Sequence, residues 1–173
     1  NYLVQSTNLL HIKLTNDKNK IVKVSHESDQ IIEMICKEFH FFQKFEQKVF
    51  LKKSLWSNLL NYMGFAGYLN PFTLESNINL NIPKLNFIVT AAHEMAHQIG
   101  FASENEANFI AFIICLKNSD PHIRYAGLTF ALNYCYSNLS KIDPIRAKKY
   151  MKFLNPGIIE NFKEISIFWN QYK

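Results

Sequence analysis

The residues with the clearest chemical content lie in the run His93-Glu94-Met95-Ala96-His97-Gln98-Ile99-Gly100-Phe101-Ala102-Ser103-Glu104-Asn105-Glu106-Ala107-Asn108-Phe109. His93 and His97 stand one helical turn apart, so on a helix both imidazoles leave the same face. Two imidazoles so placed can grip one tetrahedral Zn²⁺ at ~2.0–2.1 Å each. Glu94 flanks that face and can reach a metal-bound water without ligating the metal. Ile88, Ala91, Met95 and Ile99 form the opposite stripe, so the helix reads as apolar behind and metal-binding in front. A chain of this length contains H-E-x-x-H by chance about once in a hundred, which makes the pattern informative.

A catalytic zinc of this kind takes three protein ligands and leaves the fourth position to water. A third histidine in the spacing H-E-x-x-H-x-x-G-x-x-H is excluded, because position 103 is Ser103. The Gly-Cys-Leu context of a peptide deformylase ligand is missing from all of Cys36, Cys115 and Cys135. What remains is a carboxylate on a following helix. Gly100 lets the chain turn back, and Ser103 with Glu106 reads as a capping box that starts the next helix. Glu104 would then face the metal, with Asn108 one turn further on. Glu106 competes as the third ligand; its use as the capping partner of Ser103 favours Glu104.

The elements that must position these residues can be read from pattern. Leu9–Leu14 and Ile21–Val24 alternate apolar and polar around Thr15–Lys20, which predicts a β-hairpin within residues 1–26. Ser28 or Asp29 caps a helix carrying Ile31, Ile32, Met34, Ile35, Phe39 and Phe42, and a short helix follows near Ser54–Tyr62. Gly64, Gly67 and Pro71 punctuate an aromatic loop, and the alternating Glu75–Asn81 predicts a short strand. The metal helix runs from Pro83 to Gly100 and its partner from Glu104 to about Leu116. Asp120-Pro121, Asp143-Pro144 and Asn155-Pro156 each open a further helix, the first reaching about Leu139. The expected fold class is α+β, predominantly α, in a single domain over 1–173: the hairpin, then helices, loop and edge strand over 27–82, the metal-binding helices over 83–118, and C-terminal helices over 119–173.

Composition narrows the function classes. The chain has 173 residues, 48% hydrophobic and 14% aromatic, which is too apolar for a disordered tail. No apolar run approaches the ~18–20 residues needed to span a bilayer, and no signal peptide is evident. The first residue is Asn1 rather than Met, which points to a fragment of a longer protein. The net charge of +5 comes from scattered Lys with only Arg124 and Arg146 beside it, so no nucleic-acid partner is expected. The three cysteines are widely spaced and read as small core residues, not a disulfide framework. His11, His26 and His40 fall outside metal spacing and are expected at the surface.

H-E-x-x-H followed by E-x-x-x-N resembles the gluzincin clan of zinc metallopeptidases. More closely, the chain resembles an uncharacterised bacterial family, domain of unknown function 3810, in which predicted membrane segments precede a zincin-like domain. Gly64-Phe65-Ala66-Gly67, Pro71-Phe72-Thr73, Asn77-Ile78-Asn79, His93–Phe109 and Asn155-Pro156-Gly157 carry this resemblance, over roughly residues 50–173. It implies a zinc cofactor, a peptide or protein substrate and a membrane tether in the full-length protein. The implied activity is hydrolysis of peptide bonds through a zinc-activated water, with Glu94 as general base. Gluzincins usually carry Asp where this chain has Asn108, which implies a neutral acceptor behind a ligand histidine. The helix from Pro121, running antiparallel, returns to metal level near Tyr134–Tyr136, and Tyr134 is the expected oxyanion donor. Glu106 lies beside the site, and Asn77, Ile78 and Asn79 would be the strand edge that pairs with an extended substrate. The alternative is a non-catalytic zincin-fold module that binds a peptide or a cell-envelope partner.

Overall fold

Eight helices and three short strands organise the chain in a computed structural model that describes residues 2–42 and 49–173. In chain order they are α1 (Tyr2–Thr15), α2 (Ser28–Phe42), β1 (Leu51–Lys53), α3 (Ser57–Met63), β2 (Gly67–Leu69), β3 (Ser76–Ile78), α4 (Lys84–Gln98), α5 (Glu104–Lys117), α6 (Pro121–Ile142), α7 (Pro144–Met151) and α8 (Pro156–Asn170). The fold class is α+β and mostly helical, as the sequence implies. Among the described residues no helix is long and apolar enough to cross a membrane.

The core is built around α4. Ile88, Ala91, Ala92, Met95 and Ala96 are all fully buried, and α4 packs against α2, α5, α6 and the sheet. The helix is thus enclosed on more than the expected stripe, while Ile99 at its end is only partly covered. From α2, Ile31, Ile35 and Phe39 enter this core at helical spacing. The side chain of Phe42, expected on the same stripe, lies outside the described residues. From α5 and α6 come Ala107, Ala111, Ile114, Ile123 and Tyr125.

Helix starts follow the Asx-Pro signals. Asp120 accepts from the backbone N–H groups of His122 and Ile123 at the start of α6, and Asp143 from that of Arg146 at the start of α7. Asn155 caps nothing with its side chain; its amide turns to the backbone O of Asn8 and to His11. Ser103 stands at the start of α5 in extended conformation but makes no capping hydrogen bond, so the expected box with Glu106 is not formed.

The expected hairpin over residues 1–26 is absent. Residues 2–15 are helical, burying Val4, Thr7 and His11 on one face, and Asn16 ends the helix at φ 55°. Residues 21–27 belong to no strand, although Val22 is bonded as a strand residue would be. It donates to Asn161 Oδ1 at 3.1 Å and accepts from Asn161 Nδ2 at 3.2 Å. One side-chain amide on α8 thus takes the place of a neighbouring strand. An apolar run as short as Leu9–Leu14 fits either period, and packing against α6 and α8 selects the helix.

Three further expectations are corrected by burial. His11 is fully buried, with Nε2 at 2.8 Å from the Lys20 carbonyl. His26 is partly buried against Asp120, and only His40 of the three histidines is exposed. Cys115 is a core residue and Cys36 is partly buried, whereas Cys135 is exposed.

The sheet has the order β1-β3-β2. β3 is its central strand, parallel to β1 and antiparallel to β2, with Asn77 opposite both Lys52 and Tyr68. The expectation that Asn77–Asn79 form a free edge is therefore wrong. β1 lies N-terminal to α3 in sequence, and β2 lies within the loop of Gly and aromatic residues. Either strand is too short to show a pattern by itself.

Candidate metal centre

The turn between α4 and α5 builds the site. α4 ends when Phe101 N–H bonds the Ala96 carbonyl at 3.1 Å and Gly100 N–H bonds that of His97 at 3.0 Å. This pair of bonds requires a left-handed residue, and Gly100 supplies it at φ 103°. The same turn carries the Phe101 carbonyl back to His97, whose Nδ1 lies 2.7 Å from it. Three residues later α5 begins with Glu104, and one turn on, Asn108 Oδ1 lies 3.0 Å from His93 Nδ1.

These contacts decide the protonation of the rings. A carbonyl oxygen only accepts, so Nδ1 of His97 carries a proton and the neutral ring presents a bare Nε2. With the Asn108 amide oxygen as acceptor, the same holds for His93. Burial, and then the neighbouring His97, hold His93 below the ordinary imidazole range; Glu104 and Asn108 pull the other way without prevailing. The two Nε2 atoms nevertheless sit only 3.0 Å apart. Glu104 completes the group, with Oε2 at 3.3 Å from His93 Nε2 and Oε1 at 3.5 Å from His97 Nε2.

Lone pairs converging this closely repel unless a cation lies among them. Atoms bound at ~2.0–2.1 Å to one tetrahedral metal are separated by about 3.3 Å; the 3.0 Å between the two Nε2 atoms, and the 3.3 and 3.5 Å from the two rings to different oxygens of Glu104, lie near that value. Two imidazoles and a carboxylate are one of the donor sets that hold zinc, so His93, His97 and Glu104 have the chemistry to hold that ion. Of the two expected carboxylates, Glu104 joins the histidines; Glu106 is exposed on the same turn and outside the group. The Glu104 side chain is 75% exposed, against 16% for His93 and 13% for His97, so the group has two fixed members and one at the rim.

Glu94 lies on the sheet side of α4. It is only 6% exposed, and burial, reinforced by the Glu104 carboxylate, pushes its carboxyl up to about 8. β2 runs directly over it. A Cβ on Gly67 would sit 2.7 Å from Glu94 Cγ and 2.9 Å from the Asn77 carbonyl, so only glycine permits this approach. Ser76 Oγ donates to the Glu94 carbonyl at 2.7 Å and ties β3 to the same turn of α4. Gly67 and the Phe101 carbonyl are positioning features that the sequence reading did not identify. The first had a visible signal, a glycine spaced from Gly64 in an aromatic loop; the second, a backbone atom, had none.

The remaining expected site residues are placed differently. Ile78 and Asn79 are fully buried. Asn79 Nδ2 donates to Asn61 Oδ1 at 2.6 Å and to the Phe65 carbonyl at 3.1 Å, so it staples the loop to α3. None of Asn77, Ile78 and Asn79 offers a free edge; the edge strand beside Glu94 is β2. Tyr134 does return to the level of the first turn of α5, but its hydroxyl donates to Asn105 Oδ1 at 2.8 Å. No curated protein and no solved structure matches the chain. The profile of one family, described as "Protein of unknown function (DUF3810)", matches residues 1–173, beyond the stretch that carried the resemblance, and the chain belongs to that family.

Proposed function

We propose that this chain is a zinc-dependent metallopeptidase of gluzincin type that hydrolyses peptide bonds in a peptide or protein substrate. The observation that carries the reading is the convergence of two bare imidazole nitrogens, 3.0 Å apart, with the Glu104 carboxylate. When bound there, zinc supplies a Lewis acid and an acidified water. With zinc bound, Glu94, enclosed between α4 and β2, would be the carboxylate placed to accept a proton from that water and pass it to the leaving nitrogen. Phe101 and Asn108 hold the two ligand rings in orientation. Asn108 does so as a neutral acceptor, which raises ligand basicity less than an aspartate. The free side of β2 offers main-chain groups to an extended peptide laid past Glu94. The family resemblance further supports a membrane-anchored bacterial protein of which this chain is the zincin-like part.

A second reading, a non-catalytic module binding a peptide or cell-envelope partner, is favoured by one observation. The hydroxyl of Tyr134 is engaged by Asn105, which leaves no assigned side-chain donor for an oxyanion. Metal analysis and peptide hydrolysis on the same samples separate the two. The peptidase reading expects one zinc lost in His97→Ala. It expects Glu94→Gln to keep that zinc while losing hydrolysis by ~10²–10⁴-fold. A zinc content unchanged from wild type in His97→Ala overturns the metal assignment. Equal hydrolysis by wild type and Glu94→Gln overturns the mechanism.

A further inference from the structure

A second cluster of ligand-type side chains lies at the other end of α5. Asp120, before α6, meets His26 from the segment before α2: His26 Nε2 is 2.9 Å from Asp120 Oδ2. His122, in the first turn of α6, places Nδ1 3.6 Å from Asp120 Oδ1. The two rings stand edge-on with centroids 5.4 Å apart. All three side chains are partly buried, and one ligand atom from each lies within 4.8 Å of the others.

A helix cap with an adjoining ion pair accounts for only part of this. Asp120 Oδ1 accepts from the backbone N–H groups of His122 and Ile123, and Oδ2 meets His26. His122 Nδ1 is left over: it is shut off from solvent and has no hydrogen-bond partner among the described residues. A buried ring nitrogen without a partner is costly, and it is aimed at a carboxylate that already holds a second imidazole. One cation with nitrogen and oxygen preference satisfies all three groups together. The separations, 2.9 Å from His26 to Asp120 Oδ2 and 3.6 Å from His122 to Asp120 Oδ1, lie on either side of the ~3.3 Å expected between ligands of a tetrahedral zinc.

We propose that His26, Asp120 and His122 form a second zinc site, structural in role, that staples the segment before α2 to the turn between α5 and α6. The 14 residues of α5 separate this cluster from Glu104, about 20 Å at ~1.5 Å per residue. Paired catalytic metals sit ~3.5–4 Å apart, so the second ion cannot share the chemistry of the first. Its position suits a cross-link instead. His26 and Asp120 are 94 residues apart in sequence, and the same turn is already tied to α2 through Asn118 Nδ2 and the Met34 carbonyl at 3.3 Å.

The test uses the whole chain as a His93→Ala/His97→Ala double variant, which removes the nitrogens of the first centre. Stripped of metal and titrated with Zn²⁺ in a calorimeter, it should take up one equivalent, with Tm rising by about 5 °C at saturation. Adding His26→Gln or His122→Gln should abolish both effects and leave the far-ultraviolet dichroism unchanged. No uptake by the double variant overturns the proposal, and so does uptake that survives both glutamine substitutions. Should the double variant not fold, the zinc content of single variants decides. A loss of one equivalent in His122→Gln supports the site, and unchanged content overturns it. Failure of the peptidase reading has a different signature, a wild-type zinc that is lost in His122→Gln and kept in His97→Ala.

Discussion

The two histidine clusters flank α5 and use the same two ligand types, imidazole and carboxylate, yet they are built by different means. The first is local. His93, His97 and Glu104 fall within one helix, a turn and the start of the next, and both Nδ1 atoms are held by acceptors that leave Nε2 bare. The second is assembled from His26 and from Asp120–His122, and its carboxylate also caps a helix. In the first cluster the fold has oriented the rings before any ion arrives. In the second the fold has already given the carboxylate other work, and one ring nitrogen is left without a partner. The rings of the first cluster are preoriented from behind, whereas the groups of the second double as ordinary structure.

Four measurements break or sharpen this contrast, taken from the largest expected effect downward. The first concerns Glu94, which only the first cluster possesses. Its folded pKa of about 8 lies above the ordinary 4.5, so folding favours the protonated form. In metal-free protein its contribution is fully present below about pH 4.5 and is lost as pH rises through 8. Urea denaturation in chelator should show stability falling by roughly 5 kcal/mol at most across that window on account of Glu94. Glu94→Gln should flatten that slope. His93 acts with the opposite sign, since its lowered pKa costs stability as pH falls, so the difference between the two proteins isolates Glu94. Identical pH profiles would remove Glu94 from the account of the site's electrostatics.

The next test is Gly67→Ala. The added methyl meets Glu94 Cγ at 2.7 Å and the Asn77 backbone at 2.9 Å, and the backbone cannot yield cheaply. We expect a loss of ~1–3 kcal/mol in denaturation; on the peptidase reading, hydrolysis falls beyond that because β2 is displaced from Glu94. A neutral result would mean that β2 does not sit against the carboxylate. Behind the ligands, Asn108→Ala should weaken zinc binding at the first centre by ~10–100-fold, as read by competition with a chromogenic chelator. Asn108→Asp should strengthen it.

The smallest effect belongs to the second cluster without metal. Asp120→Ala removes the α6 cap and should cost ~1 kcal/mol, whereas Asp120→Asn, which still caps, should cost a few tenths. A much larger loss in Asp120→Asn, measured in chelator, would show that the ion pair with His26 matters more than the cap.

Legibility tracked the distance between interacting residues. The helices from Pro83, Glu104, Pro121, Pro144 and Pro156 were readable because their caps, prolines and apolar periods are local. Glu104 rather than Glu106 lies beside the two histidines, although the expected capping box does not form. What selects Glu104 is the turn at Gly100 and its place in the first turn of α5. The hairpin was misread because the partner of Val22 is a side-chain amide 139 residues away. The alternation of Glu75–Asn81 predicts the strand β3 but not its central place in the sheet, since a strand's own residues carry no record of how many neighbours it has. Its partners β1 and β2 are three residues each, too short to announce themselves.

By itself the sequence determined the helical character of the chain, the metal-type face of α4 and the identity of its histidines. One helical turn places His93 and His97 together whatever surrounds them. Only the tertiary structure decided which strand lies at the edge, that Glu94 is enclosed under Gly67, and that His26 meets Asp120 and His122. Each of these depends on packing between segments far apart in the chain. Such contacts are selected by burial and by the satisfaction of polar groups across the whole fold, and no local spacing encodes them.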